Sequence, residues 1–189
     1  MSNTMTQVNI IIGRFQPITN GHVKCAVQAY EKKGLPTVLC MIDTPDAKVD
    51  ARHPFPSSML LPLYKDMFDG QEKSHIVDVV LVKNADIVKA AEILRDKGYE
   101  IGSWSCGTDR VDSYSKMAEK YADKAGLPAG FEVIEIKRGD DDESATKLRQ
   151  ALRDDDKTTF FRMFPDIHLS TRLKRNVYTE LRDQLLSIS

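Results

Sequence analysis

Short runs of apolar residues, rich in valine and isoleucine, alternate along the chain with segments in which apolar residues recur every three or four positions. Runs of the first kind are typical of strands that are buried on both faces of a sheet. Five of them occur, at residues 8–12, 37–42, 75–82, 101–106 and 131–136. The chain is therefore predicted to contain five strands.

Segments of the second kind predict amphipathic helices between these strands. Their apolar positions are, in chain order, Val23, Ala26, Val27 and Tyr30, then Ile87, Ala90, Ala91 and Leu94, then Val111, Tyr114, Met117, Ala118 and Tyr121. This alternation implies right-handed crossovers, so the predicted fold class is α/β, with a doubly wound, mostly parallel five-stranded sheet and C-terminal helices. We expect residues 1–150 to form the α/β domain and residues 151–189 a helical extension packed on it. Residues 144–189 are predicted to be helical throughout.

The carboxyl ends of parallel strands meet at one edge of the sheet, where such folds bind ligands. Gly13, Gly107 and the segment after Ile136 fall at that edge. Residues 43–58 follow the second strand, contain three prolines and are too irregular for an ordinary connection. They form either a flap over the crevice or an exposed surface loop. The basic residues of this segment that could reach a phosphate are Lys48, Arg52 and His53.

Composition narrows the classes of function. The 189 residues include 27 lysines and arginines against 28 acidic residues, which argues against binding nucleic acid through a general basic field. The three cysteines have no metal-binding or redox spacing and are expected to be buried free thiols in a reducing compartment. With no targeting or membrane-spanning run in the sequence, a cytoplasmic protein without membrane partners is expected.

The first predicted strand runs into a glycine turn and a helix start, in the sequence IIIGRFQPITNGHVK at residues 10–24. Gly13 allows a sharp turn and leaves room for a phosphate beside the backbone. Thr19 or Asn20 can cap the helix, and His22 then lies in the first turn, where free N–H groups favour an anion. Taken singly, a glycine and a histidine are more often structural.

A second helix start carries hydroxyls and a guanidinium, in the sequence SATKLR at residues 144–149. Ser144 is the expected N-cap, Thr146 lies in the first turn, and Arg149 shares its face of the helix. Together these groups can hold a polyphosphate, although each alone is common in helices. The acidic run at residues 140–143 precedes them and either faces solvent or helps to hold Mg²⁺.

Together the two helix starts resemble the signatures of the nucleotidylyltransferase superfamily. GRFQPITNGH is similar to the HxGH or TxGH motif, with Thr19, Gly21 and His22 at the matching positions, and GRFQP is close to the form in nicotinamide mononucleotide adenylyltransferases. SATKLR is similar to the SxTxxR motif. Between them, GTDRV at residues 107–111 resembles virus-encoded cytidylyltransferase-like proteins. The resemblance spans about residues 8–150.

This resemblance implies a Rossmann-like nucleotidyltransferase fold and transfer of a nucleotidyl group from a nucleoside triphosphate to a phosphorylated small-molecule acceptor. The favoured reaction makes NAD and pyrophosphate from ATP and nicotinamide mononucleotide, with Mg²⁺ as cofactor. Three alternatives stay open: transfer from CTP to a phosphorylated alcohol or sugar, another acceptor such as FMN or phosphopantetheine, and a nucleotide sensor without catalysis.

The resemblance also implies roles for single residues. His22, Thr19 and Arg149 are the predicted catalytic residues, and Gly107 and Asp109 are predicted to bind the acceptor, although Asp109 could equally cap the helix that follows. No side chain is predicted to bind a metal. The predicted nucleotide-binding residues are Gly13, Arg14, Phe15, Gly21, Ser144, Thr146 and Lys48. In the helical tail the apolar positions that could cover the core, or form a homo-oligomer interface, are Leu173, Val177, Leu181 and Leu185.

Overall fold

The computed structural model describes residues 4–70, 72–137, 144–165 and 170–188. One parallel sheet contains β1 (Thr6–Gly13), β2 (Thr37–Ile42), β3 (Ile76–Val82), β4 (Tyr99–Cys106) and β5 (Glu132–Glu135). The helices are α1 (Asn20–Lys33), α2 (Ser57–Phe68), α3 (Ile87–Asp96), α4 (Val111–Ala125), α5 (Ala145–Arg153), α6 (Lys157–Met163) and α7 (Thr171–Leu186). The predicted α/β class is confirmed. Within these ranges no helix has the length and apolar character of a membrane span.

The strand order β3-β2-β1-β4-β5 places the first strand in the middle of the sheet. The chain leaves β1 toward β2 and β3 on one side, and then forms β4 and β5 on the other side. The carboxyl ends of β1 and β4 therefore flank the point where the winding reverses, which is where open sheets bind ligands. Gly13 ends β1 and Gly107 follows β4, so both lie at this point as predicted.

Side chains of the strands alternate between two hydrophobic cores. Ile11 and Met41 face α1, α2 and the three C-terminal helices, whereas Ile10 and Cys40 face α3 and α4. The sheet is covered on both faces, and for this reason its strands are continuous apolar runs in the sequence rather than runs in which apolar and polar residues alternate. The cysteines are buried free thiols, as predicted, and Trp104 is fully buried in the second core.

Helix α2 is an element that the sequence pattern does not indicate. Pro62 lies inside it, and a proline lacks the N–H that a helix interior uses, so the residue favours a helix end. Three side chains on one face of α2 are nevertheless fully buried or nearly so: Leu60, Tyr64 and Met67. Their packing against the core outweighs the local preference of the proline.

The C-terminal segment is helical but interrupted, so the prediction of continuous helix is wrong. Asp155 separates α5 from α6 with a φ of 51°, in the left-handed region, which a continuous helix cannot contain. Of the four apolar anchors predicted here, three are buried in the core shared with α1 and α2: Val177, Leu181 and Leu185. They cover the core of this chain, whereas Leu173 is 39% exposed.

Candidate active site

A cavity of about 800 Å³ opens at the carboxyl ends of β1 and β4. Its size is within the range of small-molecule sites in proteins. The structure brings five of the predicted site residues into its wall: Gly13, Arg14, His22, Gly107 and Asp109. Residues distant in sequence therefore meet at the predicted crevice.

Thr19 and His22 form a reciprocal pair at the start of α1. Thr19 is the N-cap residue, and its backbone N–H donates to Nδ1 of His22 at 3.1 Å. Because a backbone N–H can only donate, Nδ1 is the acceptor, and the neutral imidazole carries its proton on Nε2. The Thr19 hydroxyl oxygen also lies 3.2 Å from Nδ1, and Thr19 is only 1% exposed. Thr19 thus fixes the tautomer and the orientation of the ring that lines the cavity.

Gly13 and Phe15 shape the turn between β1 and α1. Phe15 adopts a φ of 50° and folds its ring back over Gly13, where an added Cβ would lie 3.2 Å from Cε1 of that ring. The same ring meets His22 edge to face, with centroids 4.9 Å apart. Phe15 is 3% exposed and lies behind the cavity wall, where it supports the imidazole.

Tyr64 on α2 stabilises the turn between β1 and α1 through hydrogen bonds to its backbone. Its hydroxyl donates to the carbonyl oxygen of Phe15 at 2.6 Å and accepts from the N–H of Ile18 at 2.9 Å. The side chain is fully buried, and burial raises the pKa of Tyr64 above its usual range. Sequence reasoning missed this residue because it lies far from both signature motifs.

Replacing Tyr64 by phenylalanine should lower the free energy of unfolding by about 1–3 kcal/mol, since a buried N–H and a buried carbonyl both lose their partner. Urea denaturation followed by circular dichroism measures the change. Tyr121→Phe is the matched control, because that residue is only partly buried, packing against the second core and beside the ammonium group of Lys120. Equal stability of the Tyr64 variant and the wild type would contradict the role given to this hydroxyl.

Gln16 joins the turn to the irregular segment 43–58. Its side-chain amide donates to the carbonyl oxygen of Phe55 at 2.7 Å and accepts from the N–H of the same residue at 2.9 Å. A further bond runs to the hydroxyl of Thr44 at 3.3 Å, and Phe55 is fully buried. The sequence left two alternatives for this segment, a flap over the crevice or an exposed surface loop. The segment lies beside the crevice, and Gln16 anchors it to the turn between β1 and α1, so neither description fits without change.

Arg149 reaches the same turn from α5. Its Nη1 donates to the carbonyl oxygen of Gln16 at 2.7 Å, and its Nη2 donates to the hydroxyl of Thr146 at 3.3 Å. Ser144 is the N-cap of α5 and accepts from the N–H of Lys147, as predicted for that helix start. Burial lowers the pKa of Arg149, and nearby cations lower it further. Only 8% of this residue is exposed.

The second helix start does not line the cavity that contains His22. Ser144, Thr146 and Arg149 are absent from that wall, and the guanidinium lies behind the loop that Gln16 occupies. The two signature motifs are therefore in direct contact through the backbone of the first, but they do not face one common cavity among the described residues.

A second cavity, of about 590 Å³, adjoins the first and shares Arg14 and His53 with it. Its wall includes the predicted Lys48 and the further cation Lys83. Partial burial and the positive charge of Arg14 are the main causes that lower the pKa of His53, and Arg149 adds to them. The second wall thus carries three cations, Arg14, Lys48 and Lys83, against the carboxylates of Asp43 and Asp50, and this excess of positive charge suits a polyphosphate.

Asp109 does not cap the helix that follows it, so that alternative is wrong. The N-cap of α4 is Arg110, and among the described residues no side chain forms a cap hydrogen bond there. The carboxylate of Asp109 is 84% exposed and lies 3.8 Å from Nε of Arg110. Its place in the cavity wall leaves it available to a ligand.

Metal binding by the chain itself is limited to weak candidates. In the parts of the chain that the structure describes, no three side chains among histidine, cysteine, aspartate and glutamate are grouped so that they could hold an ion. The acidic run at residues 140–143, which the sequence analysis named as a candidate for Mg²⁺, lies outside the described residues.

The cytidylyltransferase-like family model matches residues 10–151. A search of curated protein sequences finds no match to the chain. Among solved structures, TmcAL of Thermotoga maritima bound with alpha-thio ATP is similar, with a TM-score of 0.57 and 12% identity, over 95% of this chain and 56% of that one.

A second similar structure is a bifunctional NMN adenylyltransferase/ADP ribose pyrophosphatase of Francisella tularensis, complexed with AMP and a manganese ion. Its TM-score is 0.54 and its identity 16%, over 97% of this chain and 52% of that one. The chain thus spans about half the length of these two proteins. At such low identity the similarity establishes the fold.

Proposed function

The chain belongs to the cytidylyltransferase-like family, within the nucleotidylyltransferase superfamily, and we propose that it transfers AMP from ATP to nicotinamide mononucleotide, giving NAD and pyrophosphate. The observation that carries this proposal is the fixed imidazole of His22, which lines a cavity at the N-terminus of α1 with its proton on Nε2. A neutral N–H donor at a helix N-terminus suits a phosphate whose charge changes during the reaction.

The proposed reaction needs no nucleophilic side chain. A phosphate oxygen of the acceptor attacks the α-phosphorus of ATP, the bond to the oxygen that bridges the α- and β-phosphates breaks, and pyrophosphate leaves with that electron pair. Nε2–H of His22 donates to the α-phosphate, and Thr19 acts as a positioning residue through Nδ1. Positioning and electrostatic stabilisation then supply most of the rate enhancement.

The leaving pyrophosphate is assigned to the boundary between the two cavities. Arg14 and His53 line both cavities, and Lys48 lies in the second. Arg149 holds this region in place through Gln16 and adds a positive charge from behind. Gly107 and Asp109, at the end of β4, are assigned to the acceptor because they line the opposite part of the first cavity wall.

Mg²⁺ fits this site as an ion carried mainly by the substrate. Magnesium usually keeps several waters and binds through substrate phosphates with one or two carboxylates, which here would be Asp43 and the second oxygen of Asp50, since Oδ1 of Asp50 already accepts from the N–H groups of Arg52 and His53. When bound, the ion neutralises part of the charge of the triphosphate.

ATP is favoured over CTP by the GRFQP form of the first motif. In line with this choice, the two similar structures contain alpha-thio ATP and AMP. The GTDRV segment favours the alternative, which is transfer of CMP to a phosphorylated alcohol or sugar.

Each of the four nucleoside triphosphates should be incubated with Mg²⁺ and a panel of phosphorylated acceptors, and pyrophosphate measured. We expect release with ATP and nicotinamide mononucleotide; release only with CTP would select the alternative, and binding without release would indicate a sensor.

Binding of pyrophosphate should raise the pKa of His53. The cations that lower it are offset when an anion binds among them, so the protonated imidazole becomes more favourable. A pH titration of the histidine resonances by NMR, with and without the ligand, measures the shift. The resonances of His75 provide the control, because that ring stacks on Tyr30 before β3, at the opposite edge of the sheet. An unchanged or lowered value for His53 would place the anion elsewhere.

A further inference from the structure

A third cavity, of about 460 Å³, lies between α6 and α7, and none of the residues that line it belongs to the two cavities described above. Its wall combines two aromatic rings with several charged side chains. Small-molecule sites commonly have this size and this combination of apolar surface with a few polar groups.

The aromatic part of the wall is rigid. Phe161 is 37% exposed, and its ring centroid lies 5.8 Å from that of Tyr178. Phe160 meets both rings edge to face from the core side, at 5.1 Å in each case. The hydroxyl of Tyr178 donates to Oδ1 of Asp155 at 2.5 Å, so the polar end of this ring is already bonded. Tyr178 is only 4% exposed, so the apolar surface open to a ligand is mainly the ring of Phe161.

The charged part of the wall has an excess of cations. Four lysines and arginines line the groove against two aspartates. Arg182 lies 3.8 Å from Asp155, and Lys157 lies over the ring of Tyr178 at 5.6 Å. Lys174 and Arg175 form no ion pair within the described part of the chain. Two adjacent unpaired cations next to an aromatic surface are complementary to an anion that carries a ring.

We propose that the groove between α6 and α7 is a second ligand site, which binds a small aromatic anion of about the size of a nucleotide. The ring of the ligand packs on Phe161 beside the edge of Tyr178, and its phosphate, sulfonate or carboxylate group lies beside Lys174 and Arg175. The site is separate from the proposed transfer reaction and does not depend on it.

Anilinonaphthalene sulfonate is a suitable probe, because it is an aromatic anion whose fluorescence rises in an apolar site. We expect saturable binding to the whole chain. Reversal of both free cations, in the variant Lys174→Glu/Arg175→Glu, should weaken binding by about tenfold or more, because attraction becomes repulsion. Phe161→Leu should also weaken it, since the stacking surface is lost while the apolar volume is largely kept.

The matched control is Lys120→Glu/Lys124→Glu, which makes the same change in net charge on exposed positions of α4. It should leave the dissociation constant within about twofold of the wild type, because α4 covers the opposite face of the sheet from α6 and α7 and exposed, distant charges are largely screened. Thermal melting followed by circular dichroism shows that each variant is folded. Unchanged binding in the groove variants, or equal weakening in the control, would each overturn the proposal.

Discussion

Replacing His22 by alanine should lower the rate of pyrophosphate release by about 10²- to 10³-fold, as is found when other preorganised donors are removed. The imidazole lines the cavity, and the bond from Thr19 to Nδ1 leaves the proton on Nε2. Alanine removes this donor and leaves the Thr19 N–H without its side-chain partner, so stability should fall by only about 1 kcal/mol. Initial rates with ATP, Mg²⁺ and nicotinamide mononucleotide measure the effect.

A variant that loses a comparable helix cap elsewhere separates catalysis from stability. Ser170 caps α7 by accepting from the N–H of Leu173 at 3.2 Å, and its replacement by alanine should also cost about 1 kcal/mol. The rate of the Ser170→Ala variant should remain close to that of the wild type. Full activity of His22→Ala, or an equal loss in both variants, would show that the imidazole is not a donor in the reaction.

The second large loss of activity is expected when Arg149 is replaced. Its replacement by methionine should reduce kcat/KM by about 10²-fold, because a positive charge near the phosphates and a support of the catalytic turn are lost together. The carbonyl oxygen of Gln16, now bonded at 2.7 Å, would be left without that partner, which should lower the free energy of unfolding by about 1–3 kcal/mol. Steady-state kinetics and urea denaturation measure the two effects.

Two further variants show whether the lower kcat/KM comes from the lost charge or from the lost hydrogen bonds. Arg149→Lys keeps the charge but cannot reproduce a fork that bonds Gln16 and Thr146 at once, so an intermediate loss is expected. Arg153→Met removes a cation one turn further along α5, where the guanidinium donates only to the carbonyl oxygen of Ala51 at 3.3 Å. We expect that control to be nearly as active as the wild type. A similar loss in the Arg149 and Arg153 variants would point to general electrostatics rather than to a specific role.

The fold was largely predictable because its main determinants are local in sequence. Strands buried on both faces appear as valine and isoleucine runs, and the five predicted strands all exist. The interior proline of α2 shows the limit: Pro62 predicts a break, and only burial against the core keeps the helix. The turn at Asp155 is a different case: the run of three aspartates at residues 154–156 favours a cap or a turn, and Asp156 is the N-cap of α6, but the apolar pattern on both sides outweighed that signal in the prediction.

The site was predictable in its residue types but not in its geometry. Short motifs identify His22 and Arg149, because helix starts and their spacing are encoded within a few residues. The contacts that position them join residues far apart: Tyr64 bonds the turn at Phe15 across 49 positions, and Arg149 bonds Gln16 across 133. No local pattern reveals such pairs. The contact between Thr19 and His22 is local by comparison: the sequence placed both residues at the helix start, but it did not show that Nδ1 of His22 accepts from the N–H of Thr19.

Label transfer from ATP tests the proposed reaction most directly. With Mg²⁺ and nicotinamide mononucleotide, ATP labelled at the α-phosphate should place its label in NAD, and ATP labelled at the γ-phosphate should place its label in pyrophosphate. Equal amounts of the two labelled products are predicted. Transfer of the γ-label to the acceptor, or no transfer of the α-label to any phosphorylated acceptor, would contradict nucleotidyl transfer at the cavity that His22 lines.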